Sequence, residues 1–187
     1  GHKPGVEVPI PDGWDGQWIG PNGLLTRLES GRNHADLHHS GGADRLVLAA
    51  DGTLAAPGVV LARGPQGVTM ARADDNTHAT LTPLAVLDSA DGAAIAGNYH
   101  SDELGAELEI VARGGGVYAR FTGLLGAGRM ERMAPAGPDV WTVATRRSMD
   151  APAPGDWTLV VTRDGKGQVG GLTLGCWLAR GVVYRRA

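Results

Sequence analysis

Aromatic side chains are scarce: one Phe, three Tyr and five Trp in 187 residues. Lysine is scarcer, with only Lys3 and Lys166. Each absence removes a class of protein. A single cysteine, Cys176, excludes an intrachain disulfide. Its apolar neighbours Leu174, Trp177 and Leu178 place it in a core strand as a buried, inert thiol. No apolar run approaches the ~20 residues of a membrane-spanning helix, so no membrane partner is expected. Seventeen Lys and Arg against twenty Asp and Glu leave a net charge of −3. The basic stripe of a nucleic-acid binder is therefore missing. Few ten-residue windows lack Gly or Pro, which argues against helices and a helical bundle.

What is present is strand and turn. Thirty Gly and eleven Pro punctuate short alternating runs. Val59 to Arg63, a turn at Gly64-Pro65-Gln66-Gly67, then Val68 to Arg72 reads as a hairpin. Glu107 to Arg113, Gly114-Gly115-Gly116, then Val117 to Thr122 reads likewise, because glycine supplies the positive φ of a tight turn. Trp157 to Arg163 followed by Asp164-Gly165-Lys166-Gly167 repeats the pattern. An internal repeat has a spacing of 81 residues: Gly16-Gln17-Trp18 matches Gly97-Asn98-Tyr99. Each triplet precedes an alternating strand, at Leu24 to Leu28 and at Leu104 to Ile110. A sheet of seven to nine strands per half must close, because open edges aggregate, and eight strands close into a small barrel. The fold class is all-β, two eight-stranded antiparallel β-barrels in tandem. The boundaries are residues 1–87 for the first, a linker at 88–94, and 95–187 for the second. A single two-sheet sandwich is the alternative.

Candidate chemistry is thin. His34, Asp36 and His38 share a face of one strand, the donor types a divalent metal takes. A solvated strand face explains them equally, and no metal or other cofactor is assigned. Ser40 beside His38 and Asp36, and the run His100-Ser101-Asp102, lack the setting of a hydrolytic triad, and no Gly-x-Ser-x-Gly occurs. Gly114-Gly115-Gly116-Val117-Tyr118-Ala119 imitates a dinucleotide fingerprint, but a strand follows where that motif needs a helix. None of the five serines has lysine three residues on, so active-serine chemistry of the Ser-x-x-Lys kind cannot run on this chain. No catalytic residue is assigned, and the chain is not expected to be an enzyme by itself. Trp14 and Trp18, four apart, suit core packing or an interface anchor. One segment interrupts the strands between Thr145 and Trp157. Its core is Met149, Asp150, Ala151, Pro152, Ala153, Pro154, Gly155 and Asp156. Two prolines spaced by Ala favour an extended, low-entropy form, as a recognition loop needs.

The segment Gly97-Asn98-Tyr99-His100-Ser101-Asp102-Glu103-Leu104 resembles the Gly-x-Tyr-x-Ser-x-Glu-Leu opening of accessory β-domains. Those domains follow the catalytic domain in some relatives of serine β-lactamases and penicillin-binding proteins. The resemblance is closest to the tandem C-terminal barrels of the D-aminopeptidase family. Trp18-Ile19-Gly20-Pro21-Asn22-Gly23-Leu24 is a diverged copy in the first half. The resemblance implies lipocalin-like barrels and a bacterial parent that releases N-terminal D-amino acids. It places the nucleophilic Ser and general-base Lys in a serine hydrolase domain of the same polypeptide. It also implies that residues 149–156 form a gating loop reaching that domain's cleft. Gly1-His2 reads as a remnant of tag removal, which suggests a piece of a longer polypeptide. No secretory signal opens the chain, so the cytoplasm is the expected location, with the periplasm an alternative for the parent. A free-standing binder of small apolar ligands and a homodimerisation module are the competing readings.

Overall fold

Period-two alternation, rather than helical periodicity, governs the backbone. The computed structural model describes residues 8–124, 126–144, 155–176 and 179–187. Contacts divide the chain into two units, Gly1–Pro21 with Thr26–Leu84, and Asn22–Leu25 with Ala85–Ala187. Among the described residues the only helical turns are 3-10 turns at Pro21–Gly23 and Gly92–Ala94. Among those residues, too, no helix is long and apolar enough to cross a membrane.

The first barrel runs β1 (Gly16–Gly20), β2 (Leu24–Ser30), β3 (Ala35–His39), β4 (Gly42–Leu48), β5 (Leu54–Ala56), β6 (Val59–Gly64), β7 (Gly67–Arg72) and β8 (Thr77–Pro83). Neighbours in sequence are neighbours in the sheet, and β8 returns to β1 to close it. Its interior is filled. Leu28, Leu37, Leu46, Leu54, Leu61 and Leu81 come from six different strands, and all are essentially inaccessible. Trp18 and Met70 complete a belt to which every strand contributes. Side chains alternate across a strand, so each of these leucines leaves its neighbours facing outward.

The second barrel runs β9 (Gly97–Ser101), β10 (Ala106–Arg113), β11 (Gly116–Gly123), β12 (Gly126–Ala127), β13 (Glu131–Gly137), β14 (Val140–Val143), β15 (Trp157–Arg163), β16 (Val169–Gly175) and β17 (Arg180–Arg186). The two-residue β12 pairs only with β11. The other eight strands close through β17 on β9 and β10 on β11, all antiparallel. Two eight-stranded antiparallel barrels in tandem are thus the architecture. The core includes Tyr99, Leu108, Ile110, Trp141, Leu159 and Leu172. The β10–β11 hairpin turns on Gly114 (φ 57°) and Gly115 (φ 73°), both left-handed as a two-residue primed turn demands. The strand expected from Leu104 begins only at Ala106. Leu104 and Gly105 belong to the preceding turn, where Gly105 has φ 55°.

The 81-residue repeat is structural. Gly16 (φ 128°) and Gly97 (φ 148°) open the first strand of each barrel. The carbonyls of Gln17 and Asn98 accept from the N–H groups just beyond each last strand, Leu84 at 2.8 Å and Ala187 at 2.9 Å. Trp18 Nε1 donates to the Trp14 carbonyl at 3.3 Å, and Tyr99 Oη donates to the Ile95 carbonyl at 2.6 Å. Both bonds are buried and reach back four residues. A guanidinium covers a ring at each place, Arg63 over Trp14 at 4.6 Å and Arg186 over Tyr99 at 5.8 Å.

Tyr99→Phe keeps the ring and orphans the Ile95 carbonyl. The expected loss is ~1–3 kcal/mol of unfolding free energy, the cost of an unmet buried acceptor. Urea titration followed by tryptophan fluorescence checks it. An unchanged midpoint would contradict the assignment.

Candidate functional site

Thirteen residues, 144–156, separate β14 from β15. These two pair antiparallel from Val140↔Val160 to Val143↔Trp157. Two residues suffice to turn such a pair, yet residues 144–156 intervene. Connections of that length in a small barrel are unusual and are often functional. Of the expected gating residues, Met149, Asp150, Ala151, Pro152, Ala153 and Pro154 lie outside the described residues. Gly155 and Asp156 lie at the foot, directly before β15. Desolvation raises the pKa of the Asp156 carboxyl.

The foot is built from aromatics. Trp157 meets Phe121 edge-on at 5.3 Å, and Phe121 meets Tyr184 edge-on at 5.9 Å. Trp141 and Val143 of β14 are buried in the same core. Edge-to-face pairs add to burial and fix ring orientation. A second clamp, invisible in the sequence, holds the far end of this strand pair. Arg163 Nη2 donates to Asp139 Oδ1 at 2.6 Å, and its Nε donates to Oδ2 at 2.9 Å. Arg163 Nη1 also reaches the Gly167 carbonyl at 2.9 Å, tying two turns together.

The remaining candidates are structural. Asp36 binds Arg45 (3.0 Å), which holds its carboxyl below the ordinary carboxylate value, and lies 3.6 Å from His34. His38 turns to Glu29 at 3.2 Å. The three do not converge, and no group of three His, Cys, Asp or Glu arranged to hold a metal occurs among the described residues. Ser101 is fully buried and its hydroxyl has no partner among the described residues. His100 instead pairs with Glu107 at 2.7 Å on the exposed side, so alternation separates the serine from its histidine. Cys176 is buried, and its sulfur accepts from the Ala179 N–H at 3.2 Å. Trp14 and Trp18 are buried and bonded to each other, which removes them as interface anchors.

Sequence reasoning missed the inner face of β3. His39 points into the first barrel, its side chain only 4% exposed. Its Nδ1 accepts from the Gly41 N–H at 3.0 Å and from Arg72 Nη1 at 3.1 Å. Both partners are obligate donors, so Nδ1 carries no proton and Nε2–H donates to Asp44 Oδ2 at 3.1 Å. Arg72 also lies 3.7 Å from Asp44 and 3.5 Å from Asp75. Burial, then the Arg72 charge, hold the imidazole pKa below its ordinary value, against the pull of Asp44 and Asp75. Both carboxylates are already engaged by Arg72, whose own Nε is buried and finds no hydrogen-bond partner among the described residues.

The family model described as D-aminopeptidase, domain B, matches residues 7–185. A D-aminopeptidase of Cereibacter sphaeroides is 54% identical over 177 residues, which cover 94% of this chain and 34% of that protein. A D-aminopeptidase of Brucella melitensis is 40% identical over 183 residues, 97% of this chain and 35% of that protein. The chain therefore spans about a third of the length of these curated relatives.

The His39 network makes stability pH-dependent. The folded imidazole binds its proton at lower pH than the unfolded one. Its contribution is whole above about pH 6.5 and falls as the pH drops from there toward the folded value, by up to ~1.4 kcal/mol per pH unit. Comparing urea midpoints at pH 7.5 and 5.5 should show a loss in the wild type and a smaller one in His39→Gln. Equal losses would remove His39 from the account.

Proposed function

This chain belongs to the D-aminopeptidase domain B family, and from that premise we propose that it is the non-catalytic accessory part of a D-aminopeptidase-like serine hydrolase. The observation that carries the reading is the length of chain, residues 144–156, that separates two directly paired strands, Val143 of β14 facing Trp157 of β15. The share of the relatives that this chain covers, 34% and 35%, supports a division of labour with the rest of a longer polypeptide. Its own composition supports the same division, since it has two lysines and no Ser-x-x-Lys.

In this reading the catalytic serine hydrolase domain supplies nucleophile and base. The second barrel supplies the wall. Residues 149–156 border the cleft and leave space for one N-terminal D-residue with a small leaving group. A longer substrate meets the excursion before its reactive carbonyl reaches the nucleophile. Discrimination then acts through positioning, because a misplaced carbonyl forfeits the advantage of a near-attack geometry. The paired β14–β15 base and the Trp157–Phe121–Tyr184 foot keep the wall in register. A role as a free-standing small-ligand binder is less favoured, because the leucine belt fills the first interior and a continuous apolar core fills the second.

The test is to delete residues 149–155 from the longer polypeptide and compare kcat/KM for a D-aminoacyl amide and a D-aminoacyl tripeptide. The expected result is a gain of about tenfold or more for the tripeptide relative to the amide, equivalent to ~1.4 kcal/mol. An unchanged ratio rejects the gate. The 187-residue chain alone is expected to hydrolyse neither D-aminoacyl amides nor esters, and turnover by it would reject the division of labour.

A further inference from the structure

The outer surface of the first barrel is split by charge. On β2, β3 and β4 it carries Arg27, Glu29, Asp36, His38 and Arg45, laced by Arg27–Glu29 at 3.0 Å and Arg45–Asp36 at 3.0 Å. Farther round, charge disappears. Strand register aligns Val47, Ala55, Val60, Ala71 and His78 in a single row across β4 to β8. A second row aligns Ala62, Thr69 and Thr80. Neither row holds a carboxylate, an ammonium or a guanidinium. Val47 is 54% exposed and Val60 43% exposed. A shallow depression of about 420 Å³ lies over Val60, Ala62, Thr69, Ala71, His78 and Thr80.

We propose that the outer face formed by these two rows, from Val47 at the end of β4 across β5, β6 and β7 to β8, is the docking surface for the catalytic part of the longer polypeptide. The proposal rests on the accessory reading above. The face has the chemistry for a permanent contact. Its side chains are mainly Ala, Val and Thr, which lose little rotamer freedom when covered. No carboxylate, ammonium or guanidinium has to be desolvated to cover it. All five strands are paired on both sides within the closed barrel, so a partner packs face to face and cannot add a strand. The relatives extend about twice as far again beyond the part this chain matches, which is ample polypeptide to supply that partner. The complementary surface is accordingly expected to be apolar and uncharged, with side chains large enough to enter the depression over Ala62 and Ala71.

Thiol accessibility tests it, because the native Cys176 is buried. Val60→Cys is placed in the chain alone and in the longer polypeptide, and maleimide labelling at position 60 is followed by mass spectrometry. Ala43→Cys, on the outer face of β4 among the charged residues, is the control. The expected result is rapid labelling at position 60 in the chain alone and labelling at least ~100-fold slower in the longer polypeptide, a difference of ~2.7 kcal/mol in the exposure equilibrium, with position 43 labelled rapidly in both. Equal rates at position 60 in the two proteins overturn the proposal. Slow labelling in the chain alone also overturns it: if the rate depends on concentration, a second copy covers the face, and if not, this chain covers its own face. Protection at position 60 in a longer polypeptide whose substrate range ignores deletion of residues 149–155 would retain the docking surface and reject the gate alone.

Discussion

Both barrels depend on a narrow seam. In the first, β1 meets β8 through Trp18↔Pro83 and Ile19↔Thr82. In the second, β9 meets β17 through His100↔Arg185 and Tyr99↔Arg186. Two residue pairs are little to close an eight-stranded sheet. The aromatic at each seam reinforces it by binding the carbonyl four residues upstream, which ties the approaching chain to the barrel wall. In the second barrel Arg186 adds its own bonds to the carbonyls of Ala94 and Ala96, at 3.3 and 2.6 Å. Closure, once made, removes the sheet edges through which strands add and aggregate.

Closure also settles where chemistry can sit. Eight strands enclose a space that side chains just fill, and here leucines fill it in the first barrel. Function is thereby displaced to loops and outer faces. The thirteen-residue β14–β15 connection and the two rows from Val47 to His78 and from Ala62 to Thr80 stand out among the loops and outer faces. They lie on different barrels.

Much of this was legible in the residues. Gly-polar-aromatic triplets marked both first strands because seam geometry needs a glycine at positive φ, a carbonyl that accepts from the end of the last strand and a buried donor-bearing ring in that order. Gly114-Gly115 marked a hairpin because few other residues accept φ near +60°. The interruption before Trp157 was visible as a break in alternation. His39 was not legible. Counting by twos from His34 groups Asp36 and His38 on the outer face and passes over the residue beside them, whose inward direction follows from buried Ala35 and Leu37. Its partner Arg72 is 33 positions away and carries no local signal. The uncharged rows were hidden for the same reason, since five strands contribute one residue each and only register assembles them.

The fixed foot also bears on how a wall at residues 149–156 would discriminate. A connection free to swing excludes nothing at equilibrium, because long substrates select the open arrangement. Excluding them by about tenfold requires the open arrangement to lie ~1.4 kcal/mol above the closed one. Edge-to-face aromatic contacts contribute ~0.5–1.5 kcal/mol each beyond burial, and the foot has two of them, Trp157 on Phe121 and Phe121 on Tyr184. The Trp157–Phe121 contact by itself is of the order of energy that such a preference for short substrates would demand, and two prolines in the six residues from Met149 to Pro154 restrict the backbone conformations open to that stretch of sequence.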